Sequence, residues 1–145
     1  MKKKDTEKGQ SLVLTALIFA FVVIPLFILV IDGTRLWCIR NRLQTASDAA
    51  CEGAAVSAVD IQAFQLTGKA TFQSAHHIWN VAQSTFQDTL AEQGRMNYSA
   101  GIQLFPDYSV PRISCTSSAS IPLMIWPGAV SISTEAISEI RFIRR

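Results

Sequence analysis

Few side chains in this sequence have the chemistry to do more than pack. His76 and His77 are adjacent, so on a helix they point about 100° apart and cannot grip one metal as an i, i+4 pair would. Three cysteines, Cys38, Cys51 and Cys115, leave one over if a bridge forms. Cys38 and Cys51 fall on one predicted helix, roughly 20 Å apart, far beyond the ~7 Å that separates bridged Cα atoms. An oxidising compartment allows Cys115 to pair with Cys38 or with Cys51, and three buried free thiols are the alternative. Asp32 and Arg35 are three residues apart, close enough on a helix for an ion pair.

Other chemistry is missing. No nucleophile stands with a base, no cysteines have zinc spacing, and Gly68-Lys69 lacks the upstream glycine and the downstream serine of a phosphate loop. The aromatics are not interleaved with basic residues as a nucleic-acid surface would need. The expectation is a protein that is not an enzyme, with no cofactor, no metal and no nucleic-acid partner.

The element that must position everything else is residues 12–31, LVLTALIFAFVVIPLFILVI, which is uncharged throughout. A helix of that length rises roughly 30 Å, the hydrocarbon thickness of a bilayer, and satisfies its own backbone in lipid. Pro25 deletes one of those hydrogen bonds and predicts a bend near mid-membrane. A soluble helix of this kind would need apolar partners on every side, and the remaining chain is too short and polar to supply them. A cleaved secretory signal has a shorter apolar region of about 7–15 residues and a small-residue cleavage site. Here the run ends in Ile31-Asp32-Gly33-Thr34-Arg35, so the segment reads as a retained anchor.

The expected organisation is a basic leader at 1–11, a transmembrane helix at 12–31 and one extracytoplasmic α+β domain at 32–145. Lys2, Lys3, Lys4 and Lys8 precede the run, against Arg35, Arg40 and Arg42 just beyond it. That comparison favours a cytoplasmic N-terminus by the positive-inside rule. From Asp32 onward basic and acidic residues balance, which excludes a strongly charged footprint.

Leu36, Ile39, Leu43, Ala46, Ala50 and Ala54 recur at three- and four-residue steps and give one apolar helical face. Arg40, Gln44, Asp48 and Glu52 form a polar row, and the helix is expected to run from the membrane to about Ala63. Ala46, Ala49, Ala50, Gly53, Ala54, Ala55 and Ala58 either let another helix approach closely or simply favour helix. A second helix is expected from about Lys69 to Gln93, with Phe72, Ala75, Trp79, Ala82, Phe86 and Leu90 as its apolar stripe and Gly94 as its stop. It should fold back on the first. From Asn97 the period changes to two, and Pro106-Asp107 and Pro127-Gly128 punctuate three or four antiparallel strands. Arg141, Arg144 and Arg145 close the chain as a solvated basic end.

Two blocks carry a family resemblance. The first is the basic leader ending in Lys8-Gly9, followed by Gln10, Ser11 and the apolar helix. The second is Asp32-Gly33-x-Arg35-Leu36, then Leu43-Gln44-x-Ala46-x-Asp48-Ala49-Ala50 and Ala54-Ala55. Together they resemble the TadE/TadG-like proteins of tight-adherence (Flp) pilus systems over roughly residues 9–58. The resemblance implies a pilin-like fold and a membrane-anchored assembly component, minor pilin or pseudopilin-like, of a pilus or related secretion system in a bacterial inner membrane. The domain would then be periplasmic or extracellular. Other pilus or secretion-machine subunits would be its partners, in homo- or hetero-oligomers formed by helix packing. It also implies prepilin-peptidase processing between Gly9 and Gln10, although the fifth residue after the cut, usually glutamate, is Leu14. The reading without the peptidase is a topology signal with an incidental glycine. A single-pass sensor or adaptor with an extracytoplasmic ligand-binding domain is the functional alternative.

Overall fold

The computed structural model describes residues 3–68, 71–94, 98–107, 112–123 and 127–140, and the side chains of 3–10 and of Phe64 are outside that description. Its fold is α+β. A long N-terminal helix carries a second long helix and a three-stranded antiparallel sheet.

Helix α1 (Lys3–Ile18) passes through a π-helical turn at Phe19–Val23 into α2 (Ile24–Ser57). Proline explains the turn. Pro25 has no N–H to give back to the preceding turn, and its ring crowds the carbonyl there. The chain widens by one residue, and the Ile24 N–H donates to the Phe19 carbonyl, an i to i−5 bond. The bend expected at Pro25 therefore takes the form of a local π segment.

The long helix stops earlier than expected, at Ser57 rather than near Ala63. Asp60 starts a new helix instead, because its carboxylate accepts from the Ala63 N–H at 3.0 Å and caps α3 (Ile61–Thr67). The excursion closes on itself: Asp60 N–H donates to Thr71 C=O, and Gln73 N–H donates to Ala58 C=O, each at 2.9 Å.

Helix α4 (Ala75–Glu92) begins later than the expected Lys69, which is outside the described residues. Ser74 decides the start, since its hydroxyl accepts from the His77 N–H as an N-cap. Phe72 pairs with Val59 in an isolated bridge and is not helical. Gly94, at φ 102°, takes the left-handed conformation that ends the helix. The buried stripe is Ile78, Ala82, Phe86 and Leu90, a strict four-residue step. Trp79, expected on that stripe, is 42% exposed.

Strands β1 (Ser99–Asp107), β2 (Arg112–Pro122) and β3 (Ala129–Glu139) form a meander with β2 central. Three strands are described, and Pro106-Asp107 does not break β1, which pairs through Pro106↔Ile113 and Asp107↔Arg112. Proline is tolerated there because β1 is an edge strand. Val110, Trp126 and the Arg141, Arg144 and Arg145 end lie outside the described residues.

The sheet and α4 share α2 as their support. One cluster joins Leu43, Ala46 and Ala50 of α2 to Phe86, Leu90 and Ala119, and the other joins Cys51, Ala54, Ala55 and Ala58 to Ile78, Ala82, Ile113, Cys115 and Ala136. A Cβ added at Gly53 would sit 3.3 Å from Thr85 Oγ1, which shows how close α4 comes. Two substitutions test this packing. Phe86→Ala is expected to cost about 3–5 kcal/mol through a cavity, and Ala50→Leu about 1–3 kcal/mol through overpacking, both read from denaturant unfolding in detergent.

Candidate membrane and assembly site

One helix among the described residues, Ser11–Ser57, is long and apolar enough to cross a membrane, and its most apolar window is unburied. Leu12, Leu17, Phe21, Leu26 and Leu29 are each more than half exposed. Water would not leave so large an apolar surface uncovered in a monomer. Its few polar groups are handled locally: Thr15 donates to the Ser11 carbonyl at 2.8 Å, one turn back.

Beyond the apolar run the same helix becomes a scaffold for the domain, and the candidate residues divide accordingly. Gly9 and Gln10 lie in α1, their side chains outside the described set. Gly33 is exposed with open space where a Cβ would stand. Asp32 is half-buried, and no Asp32–Arg35 ion pair occurs among the described residues. Arg35 instead donates to the Pro122 carbonyl at the end of β2, at 3.4 Å. The expected boundary pair gives way because tertiary structure brings an acceptor from 87 residues away.

Further along α2, Gln44 donates from Nε2 to Asp48 Oδ1 at 2.9 Å and to the Glu135 carbonyl at 3.2 Å. Leu43 and Ala50 are fully buried, Ala49 is half-buried and Asp48 is exposed. Thus Leu43, Ala50 and most of the small-residue row are covered by the chain's own α4 and sheet. They are not open to a neighbouring subunit, because the second helix and the strands already occupy the close approach that small side chains permit.

The cysteine question resolves into one bridge. Cys51 is joined to Cys115, with Cα atoms 5.8 Å apart, and Cys38 is free and exposed. The bridge ties α2 to the central strand, and Cys51 Sγ rests 3.2 Å from the Ile113 carbonyl and 3.6 Å from that of Ala136. With no S–H in a disulfide, these are packing contacts rather than hydrogen bonds. Neither a Cys38–Cys115 pairing nor three buried thiols fits this arrangement.

Two polar features were not legible in the sequence. Ser117 and Thr134 share a buried 2.7 Å hydrogen bond across β2 and β3. The inward phase of the strand alternation was the available signal. Tyr98 sits beside Arg42 and Cys38, with its hydroxyl buried and without a hydrogen-bond partner among the described residues. Burial pushes the phenol above its ordinary value, the Arg42 guanidinium opposes this, and Cys38 adds to the rise. No cluster of three or more potential metal ligands occurs among the described residues. Comparisons with family models, with curated proteins and with solved structures returned no match.

Two measurements follow from this geometry. The bridge closes a separation of 64 residues, so Cys51→Ser with Cys115→Ser should cost about 4 kcal/mol by the chain-entropy relation, read by denaturant unfolding without reductant. A phenol with a raised folded pKa contributes stability that is complete below the unfolded value of 10.0 and is lost as pH rises through the folded value. Wild type should therefore lose more stability between neutral pH and the range above 10 than Tyr98→Phe does. At neutral pH that variant should be equal to wild type or up to about 1 kcal/mol more stable, because it removes a buried hydroxyl that lacks a partner.

Proposed function

We propose that this chain is a single-pass membrane protein serving as a structural subunit of a membrane-spanning assembly, as its resemblance to the TadE/TadG-like pilus proteins suggests. The observation that carries the proposal is the division of one continuous helix. Its first part is apolar and unburied, and its second part is the buried spine of a small domain. Lipid is the solvent that makes the first part stable, and the domain makes the second part rigid.

The Cys51–Cys115 bridge supports placing the domain outside the cytoplasm, where disulfides persist. Four lysines before the run support the same orientation. In the assembly role, contacts with sibling subunits fall to the span and to the exposed rim of the domain, since the small-residue row is already occupied. Processing after Gly9 by a prepilin peptidase belongs to this proposal and leaves a mature chain beginning at Gln10.

The anchor is tested by alkaline carbonate extraction of membranes. Wild type is expected to stay in the pellet, and Phe21→Arg, which puts a charge near mid-span at about 2.5–3.5 kcal/mol, to shift toward the soluble fraction. Release of wild type overturns the proposal. The assembly role predicts that photo-crosslinkers at Leu14 and Leu29 capture pilus or secretion subunits in the native membrane; capture of lipid alone contradicts it. Intact mass with and without the peptidase decides whether residues 1–9 are removed.

A further inference from the structure

Where the apolar run passes into the domain, the helix has two unlike faces. On one, Ile28, Asp32 and Arg35 are half-buried and Ile39 is buried. On the other, Leu26, Val30, Gly33, Trp37 and Arg40 step by four, three, four and three, which places them within about 80° of arc, and all five are exposed. This second face runs without a break from the unburied span into the foot of the domain.

Its chemistry changes with height. Gly33, one turn below Trp37, has open space where a Cβ would stand, so no side chain fills the step beneath the indole. The neighbouring Thr34 hydroxyl donates to the Val30 carbonyl at 2.8 Å and leaves no free polar group at that level. Trp37 is 66% exposed, and Arg40 makes no hydrogen bond or ion pair among the described residues. Asp32 lies on the covered side, and the first carboxylate on the exposed face is that of Asp48, about 12 Å above Arg40.

Depth can be counted along the helix. Trp37 lies about 9 Å and Arg40 about 13 Å beyond Ile31, while the interfacial layer outside the ~30 Å core is roughly 5–7 Å thick. Helical side chains lean over the preceding turn, about 5 Å lower. That lean brings the indole into the interfacial layer and the guanidinium to its outer edge.

We propose that the Gly33–Trp37–Arg40 face is a contact site for anionic phospholipid in the leaflet that faces the domain. The indole stands among the glycerol and upper acyl groups, and the Arg40 guanidinium pairs with a headgroup phosphate. Lipid is the occupant because the face continues the unburied apolar run and carries charge of one sign at headgroup height. Anchored on one face at this level, the helix tilts toward that face, which sets the direction in which the domain leans. This inference rests on the anchoring reading, and its test carries a separate control for that reading.

The full chain with Trp79→Phe and Trp126→Phe keeps Trp37 as its one indole. After its Cys51–Cys115 bridge is verified, it is reconstituted in phosphatidylcholine vesicles. A fixed fraction of the lipid carries bromine on the upper acyl chain, either as phosphatidylcholine or as phosphatidylglycerol. Trp37 fluorescence is expected to be quenched by both, about two- to five-fold more strongly by the brominated phosphatidylglycerol. That preference is expected to vanish in Arg40→Gln and in about 1 M salt, where the screening length is ~3 Å. Quenching by aqueous acrylamide and by neither lipid overturns the contact, and equal quenching by the two lipids overturns the pairing of Arg40 with phosphate. A companion chain, Phe21→Trp with Trp37, Trp79 and Trp126 all changed to Phe, reports the anchor through lipid brominated deep in the acyl chain. Quenching at position 21 with Trp37 in water overturns the contact and leaves the anchor standing, whereas no quenching at position 21 overturns both.

Discussion

The whole domain depends on how thin α2 is between Leu43 and Ala58. Besides Leu43, Ser47 and Cys51, the faces that meet α4 and the sheet carry only alanine methyl groups and the hydrogen of Gly53, so a helix and a sheet can both approach the same helix closely. The resulting core is small. Among the described residues, only Phe86, Leu43, Ile113 and Ile121 are large and fully buried. A domain of this size buries a modest fraction of its surface, and the cross-link from Cys51 to Cys115 offsets that shortage by restricting the unfolded chain.

Because α2 is also the continuation of the apolar helix, the domain has no flexible neck. The Arg35 and Gln44 contacts register the strands on the helix, and the bridge locks that register further up. The exception to regular winding lies in the apolar run, where Pro25 forces a π turn at Phe19–Val23.

This arrangement changes what the family resemblance implies. A row of alanines after a membrane helix invites the idea that subunits associate through it. In this chain the row is occupied by α4, with Gly53 against Thr85, and by the inner face of the sheet. Among the described residues, large apolar side chains stay exposed along the apolar run, at Val56, Ile61 and Leu66, and at Phe105 and Ile137, which flank Ser114 on the outer face of the sheet.

Sequence alone determined what depends on local chemistry. An uncharged run of bilayer length, a three-to-four period through Leu43 and Ala54, and a change to period two after Tyr98 follow from side-chain polarity and backbone geometry over a few residues. They identified the long apolar N-terminal helix, the second long helix and the β region. Caps moved the boundaries: Asp60 and Ser74 compete for the backbone through their own side chains, and propensity does not register that. What only the tertiary structure decided was which distant groups meet. Cys51 rather than Cys38 reaches Cys115, Arg35 turns to Pro122 rather than Asp32, and Ile78 rather than Trp79 faces the core, because each outcome is set by the height and phase at which two elements pack.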